Sequence, residues 1–396
     1  MSAETSPPQS AAPAAGYTLW QLVRYMLGLG TWGFGGPVAL VGYMYRDLVE
    51  RRHWISESDY KEGLTLAQLM PGPLAAQLAI YLGFVHYRVL GATVAGLAFV
   101  LPSFAMVVAI GAAYMAYGGI EWMQAVFYGV GAAVIGIIAL SAYKLTTKNI
   151  GKDKLLWAIF FVSAALTVVT QSEIVWVFLV GGVLVWLVRA PPKFLSRGSV
   201  NSVAAPLAGM LAAGAIDWHK LGQIGAFFAY AGSFVFGSGL AIVPFLYGGV
   251  VKEYGWLTDR QFVDAVAVAM ITPGPVVITT GFIGYLVAGF WGAVVAAVGT
   301  FLPCYLFTII PAPYFKKHGK RPAIVAFVDG VTAAAIGAIA GAVIVIGQRS
   351  ITDFVTAALA LVTVIVLWRF KKVPEPLIVL VAAIAGLLLH PLLAHT

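Results

Sequence analysis

The chain has 396 residues, 61% of them hydrophobic and only 10% charged, where a soluble domain carries about 25% charged residues. That composition and a mean hydropathy of +0.91 exclude a soluble globular protein and imply a polytopic membrane protein. The net charge of +8 then fits cytoplasmic loops that favour Lys and Arg rather than a nucleic-acid surface, and the single cysteine, Cys304, excludes an internal disulfide and a cysteine-built metal cage.

Residues 1–16, MSAETSPPQSAAPAAG, have neither a basic n-region nor an apolar h-region, so a disordered tail is expected there rather than a cleaved signal peptide. Apolar segments follow over 17–45, 62–87, 89–117, 121–143, 155–170 and 173–189, which are expected to form one transporter repeat over 17–197. A shorter apolar run, 203–216, falls below the ~20 residues of a spanning helix, so it reads as a linker or an interfacial helix, and 198–221 as the linker between the repeats. Segments over 222–250, 262–286, 288–315, 323–347, 353–368 and 374–394 make a second repeat over 222–396.

The halves share a register. Gly30-Thr31-Trp32-Gly33-Phe34-Gly35-Gly36, Trp54 and Pro71-Gly72-Pro73 reappear 202 residues later as Gly232-Ser233-Phe234-Val235-Phe236-Gly237-Ser238, Trp256 and Pro273-Gly274-Pro275. After a one-residue slip the match continues at 201, pairing Pro102 with Pro303 and Gly136 with Gly337. Such agreement at Gly, Pro and Trp implies internal duplication.

Charge decides between parallel and inverted repeats. With every segment crossing and the N-terminus outside, the 24 Lys and Arg divide almost evenly. If the two Pro-Gly-Pro segments instead enter and leave on one side, 20 fall inside and four outside: Arg24, Lys252, Arg260 and Arg349. The positive-inside rule favours that second arrangement, which makes the halves inverted. The expected fold is therefore an all-α polytopic membrane protein of two inverted-topology repeats, each with a re-entrant, broken-helix Pro-Gly-Pro hairpin, a pattern met in secondary transporters. The half-helices are expected over 62–70 with 74–87 and over 262–272 with 276–286, with Pro73 and Pro275 at the first helical position. Free amides at those helix starts carry partial positive charge and suit an anion.

Candidate substrate-binding residues follow. Pro71, Gly72, Pro73, Pro273, Gly274 and Pro275 form the two turns, with Gln68 and Gln77 beside the first and Thr272 and Thr279-Thr280 beside the second as uncharged donors. Thr31, Phe34, Gly35, Gly36, Ser233, Gly237 and Ser238 lie in the paired glycine-rich stretches, which serve either close helix packing or an unwound binding segment. Arg24 lies in the first apolar segment, where a charge marks function or snorkels to the interface; its planar fork suits an oxyanion. Glu62 and Asp264 are repeat-equivalent acids, either first-turn acids or proton-coupling sites, and Asp329 is a third proton-coupling candidate. The scattered histidines and the missing Walker loop give no metal site, no cofactor and no ATP-driven pump, so no catalytic residue is assigned.

The stretches FGGPVALVGYMYRDLVERRHWIS (34–56), LAQLMPGPLAAQLAIYLGF (66–84), VFGSGLAIVPFLYGGVVKEYGWLT (235–258) and AVAMITPGPVVITTGFIGY (267–285) resemble the chromate ion transporter family, in its long-chain two-domain form, over roughly 17–394. The resemblance implies chromate export across the bacterial cytoplasmic (inner) membrane and chromate resistance. Sulfate is implied as a competing analogue. It implies a basic residue ahead of FGG, where Arg24 falls; Leu40 departs from the histidine that members commonly carry in FGGPxAH. Implied partners are chromate, with sulfate as the analogue, and the lipid bilayer, with no nucleic acid and a homodimer left open. Membrane potential, with or without proton exchange, would drive export. A transporter for sulfate or another anion and a passive anion channel stay open as rivals.

Overall fold

The computed structural model describes residues 16–34, 36–117, 121–170, 175–190, 218–235, 242–318, 321–351, 353–370, 373 and 375–393. All regular structure among them is helical. Four described helices are long and apolar enough to cross a membrane, and several shorter apolar ones accompany them.

Helix α1 (Leu19–Trp32) opens on a capping box in which Thr18 and Gln21 satisfy each other's backbone, a local signal that needs no tertiary support. It ends where Gly33 turns extended (φ −80°, ψ 90°). The chain then doubles back through α2 (Gly36–Met44) and seven π-helical residues, Tyr45–Arg51. The Tyr25 hydroxyl donates to Asp47 at 3.4 Å, and the Tyr17 ring stacks on Trp54 at 5.0 Å. The expected single crossing over 17–45 is therefore corrected to an antiparallel pair. Glycine supplies the break, because without a Cβ the backbone can leave the helix sharply. The same happens over 222–250: α8 (Trp218–Gly232) is followed by α9 (Val243–Leu246) and π-helical Tyr247–Glu253, and Phe227 returns to within 5.6 Å of Tyr254. Helix α8 begins inside the stretch expected as a linker; 198–217, with the apolar run 203–216, lies outside the described residues.

Helices α3 (Glu57–Leu69) and α4 (Leu74–Tyr117) flank the first Pro-Gly-Pro, and α4 breaks at Arg88 (φ 53°, ψ −142°). Across the turn the Tyr81 hydroxyl donates to Glu62 at 2.8 Å, so α3 and the first part of α4 lie side by side. In the second half α10 (Asp259–Ile271) precedes the turn. A 3₁₀ turn Val276–Ile278 and α11 (Thr279–Ile309) follow it, with the break at Ala288–Gly289. The expected starts at 62 and 262 are late by several residues, because Ser56 and Thr258 cap α3 and α10 upstream. The prolines do not stand at the first helical position. Pro73 and Pro275 are cap residues: Gln77 N–H donates to the Pro73 carbonyl at 3.0 Å and Ile278 N–H to that of Pro275 at 3.0 Å, which a residue outside the helix can accept with no N–H of its own.

The remainder is α5 (Glu121–Asn149), α6 (Lys154–Thr170), α7 (Val175–Arg189), α12 (Ala312–His318), α13 (Pro322–Ser350), α14 (Phe354–Arg369) and α15 (Glu375–Leu393). Helix α5 packs on α14 and α15, whereas α13 packs on α6 and α7, so each half seats its long helix on the last two helices of the other. One continuous core accordingly runs from Val107 to Ala382.

Candidate functional site

The two Pro-Gly-Pro turns meet the other half's glycine break. Gly72 N–H donates to the Val235 carbonyl at 2.5 Å, and Gly274 N–H donates to the Gly33 carbonyl at 3.0 Å. Both turn glycines have positive φ, 145° at Gly72 and 92° at Gly274, where other residues are strained. A Cβ at Gly274 would lie 2.0 Å from Ser103 Oγ, and one at Gly72 would lie 3.0 Å from Cys304 Sγ. Residues 33 and 235 keep the 202 offset of the turns, and Ser103 and Cys304 the 201 offset. The junction is thus built twice.

Behind each turn buried donors point inward. The first N–H groups of a helix have no partner within it. Ala75 and Ala76 are buried, as are Val276 and Val277, and no acceptor faces their amides among the described residues. Gln77, fully buried, donates Nε2 to the Pro71 carbonyl at 2.8 Å and leaves Oε1 without a partner. Thr280 Oγ1, at the start of α11, is also buried and unpartnered. Buried backbone and side-chain polar groups are rarely left so; the amides and the Thr280 hydroxyl can donate to an anion, whereas Gln77 Oε1 is an acceptor and needs a donor.

A cavity of about 650 Å³ lies between α1 and the returning segment, with Gly33 among its lining residues. Gln21, Arg24, Tyr25, Gly28 and Trp32 line it from one face of α1, and Arg46, Asp47, Arg52 and Trp54 from the returning segment. The opposite face of α1, with Leu22, Met26 and Gly30, is buried, and a Cβ at Gly30 would lie 2.3 Å from the Phe99 carbonyl oxygen on α4. Arg52 sits over the Trp54 ring at 4.6 Å and Arg46 over Tyr43 at 5.2 Å. Asp47, the cavity's one carboxylate, lies 3.5 Å from Arg46 and 3.4 Å from Arg51. Arg24 is exposed and forms no ion pair among the described residues. Since Arg24 shares this cavity with Arg46 and Arg52, the expectation that it lies on the opposite side from them is corrected; the doubling back at Gly33 brings all three to one end.

Other expected residues are dispersed. Thr31 and Ser233 turn their hydroxyls onto their own helices, to Leu27 and Ala229 carbonyls, each at 2.7 Å, and buried Thr272 does so to Ala269 at 3.2 Å. Phe34 is half-buried in the break, Gly36 starts α2, and Gln68 is exposed on α3. Pro273 is buried. Gly35, Gly237 and Ser238 lie outside the described residues. Buried Asp264 accepts from the Tyr114 hydroxyl at 2.8 Å beside Arg260, in a second, smaller cavity of about 120 Å³. Asp329 is held apart from the junction by Arg189 at 2.6 Å, which also pairs with Asp153. That guanidinium holds the loop carboxyl of Asp153 below its usual range. Sequence reasoning did not single out Arg46, Arg52, Ser103 or Tyr114. For the two arginines a signal existed, since Gly248 and Tyr254 stand at their repeat-partner positions.

The chromate transporter family model matches residues 20–186 and 222–387. The chain is 69% identical, over 99% of its length and 98% of the relative's, to a chromate transport protein of Cupriavidus metallidurans. It is 64% identical to a probable chromate transport protein of Synechococcus elongatus over 94% of this chain and 96% of that one. A chromate transport protein of Pseudomonas aeruginosa is 30% identical over 98% of this chain and 95% of the other. No solved structure matches.

Proposed function

The chain belongs to the chromate transporter family, and from that premise we propose that it is a secondary transporter exporting chromate across the bacterial cytoplasmic membrane and thereby conferring resistance. Its two repeats, 17–197 and 222–396, lie inverted in the bilayer, each with a Pro-Gly-Pro hairpin that enters and leaves on one side. The observation that carries this reading is the pair of turns whose buried amides, at Ala75 and Ala76 and at Val276 and Val277, lack acceptors among the described residues. Two helix starts from opposite sides offer a tetrahedral dianion donors without a fixed countercharge that would trap it.

Arg24 attracts the dianion into the cavity that Gly33 also lines, and Gly33 accepts from the turn amide of Gly274. The arginine-lined end is the cytoplasmic one by the positive-inside rule. Gly72, Pro73, Gln77, Gly274 and Pro275 surround the anion at the junction; Pro71 holds Gln77 in place. Glu62 and Asp264 are the carriers if protons exchange for the dianion, each already bonded to a tyrosine hydroxyl.

The test is chromate accumulation in cells with and without the protein, followed by counterflow in proteoliposomes. Lower accumulation in expressing cells and saturable counterflow are expected. Unsaturable flux without counterflow would mean a channel, and unchanged accumulation with sulfate counterflow would mean a sulfate carrier.

A further inference from the structure

The arginine-lined cavity lies in the first half. At the repeat-equivalent positions of the second half aromatic residues pack together: Phe227, Tyr230, Phe234, Phe245, Tyr254 and Trp256 stand at the partner positions of Tyr25, Gly28, Trp32, Tyr43, Arg52 and Trp54. Tyr254 and Trp256 stack at 4.5 Å, with the Phe227 ring edge-on to Trp256 at 5.8 Å. Phe234 stacks on Phe245 at 6.0 Å, and Tyr230 lies 5.4 Å from Phe234. Where Asp47 accepts from Tyr25 in the first half, Gly249 is so close to Phe227 that a Cβ there would lie 2.1 Å from the ring. Arg24, Arg46 and Arg52 have Ala226, Gly248 and Tyr254 as partners.

We propose that Arg24, Arg46 and Arg52 form a loading site for a tetrahedral dianion, and that this site exists at one end of the molecule only. The physical case has three parts. Guanidinium forks match an oxyanion's edges. Tyr43 and Trp54 hold Arg46 and Arg52 by their ring faces, so less freedom is lost when the anion arrives. At the other end an apolar aromatic cluster offers a dianion no cation at the matching positions, and desolvation there has no compensation. Loading is therefore vectorial, and the two otherwise matched halves take different roles: one collects the anion, the other closes the far side. The inference rests on the transport reading above and adds which residues set the side of loading.

The experiment measures chromate binding to the purified full chain by equilibrium dialysis and chromate flux in vesicles of each orientation. Arg46→Gln and Arg52→Gln should each weaken binding about tenfold, as loss of a charge-assisted hydrogen bond does. They should raise the half-saturating chromate concentration only for loading from the arginine end. Asp47→Asn, which removes the cavity's carboxylate, should tighten binding, a change that misfolding cannot produce. Arg260→Gln, at the smaller cavity, should leave binding unchanged. Equal effects on loading from both ends, or no effect of either arginine variant on binding, would overturn the proposal. Binding lost in the arginine variants while wild-type vesicles move no chromate would keep the site and reject transport. Normal flux and binding in both variants would reject the site and keep transport.

Discussion

At the scale of single residues, Arg24 joins the two ends of the argument. It stands on the exposed face of α1 with Gln21, Tyr25, Gly28 and Trp32, the spacing of one helical face, and forms no ion pair among the described residues. Arg24→Gln should lower chromate flux about tenfold or more with normal membrane insertion, since a charge-assisted hydrogen bond contributes about 1.5–3 kcal/mol. Arg24→Lys should recover only part, because an ammonium lacks the planar fork. Normal flux in Arg24→Gln would leave the residue as a snorkelling side chain. Gly274 offers a second test. At φ 92°, with Ser103 Oγ 2.0 Å from an added Cβ, Gly274→Ala should cost about 1–3 kcal/mol. A lowered Tm by thermal unfolding in detergent would report it, and an unchanged Tm would mean that the turn relaxes freely. Arg24 was legible as an unusual charge in an apolar run. Its neighbours Arg46 and Arg52 carried only the signal of an uncharged repeat partner, Gly248 and Tyr254, and otherwise read as ordinary loop cations until the break at Gly33 folds them back over α1.

At the scale of elements, the capping residues and the Pro-Gly-Pro turns were written locally. Ser56 and Thr258 cap α3 and α10 through the amides three residues on, and proline stops a helix whatever surrounds it. What the chain does after each stop is a matter of contacts. Glu62 and Tyr81, 19 residues apart, meet at 2.8 Å because α4 returns along α3. Single cysteines at Tyr60 and Arg88, in a Cys304→Ser background, should therefore react with an impermeant maleimide from the same side of the membrane. Cysteines at Lys148 and Lys317 should join them, and one at Thr258 should react from the opposite side. Labelling of Tyr60 and Arg88 from opposite sides would eliminate the re-entrant hairpin and the anion site built on it. The break at Gly33 was the missed element. A run of apolar residues over 17–45 satisfies every length criterion for a crossing, and only the meeting of Tyr25 with Asp47 shows that it reverses.

At the scale of the whole molecule, the halves interlock, with α5 on α14 and α15 and α13 on α6 and α7. Each turn is also held by a carbonyl of the other half. A change at one turn is therefore felt at both, which suits a site that opens to the two sides in alternation. Energetics then sets the direction. One charge crossing 100 mV is worth about 2.3 kcal/mol, so a dianion leaving a negative-inside cell gains about 4.6 kcal/mol, enough for about a 10³-fold outward gradient. Export should be electrogenic. In proteoliposomes a potassium–valinomycin potential should speed chromate efflux when the interior is negative and slow it when positive. Flux indifferent to the potential would instead indicate electroneutral exchange of two protons per dianion, with Glu62 and Asp264 as the carriers.

The sequence by itself determined the membrane class, the all-helical content, the duplication and the places where helices must stop. Each of these rests on composition or on the backbone chemistry of Gly, Pro and capping residues, which acts within a few positions along the chain. Only the tertiary structure decided that 17–45 doubles back and that Arg24, Arg46 and Arg52 share one cavity. It also decided that aromatic rings pack together at the matching positions of the second half, and that Asp329 is paired with Arg189. Those outcomes depend on which distant surfaces bury one another. Apolar residues facing lipid and apolar residues facing protein have the same hydropathy, so their partners are fixed by shape and by the satisfaction of buried polar groups rather than by pattern.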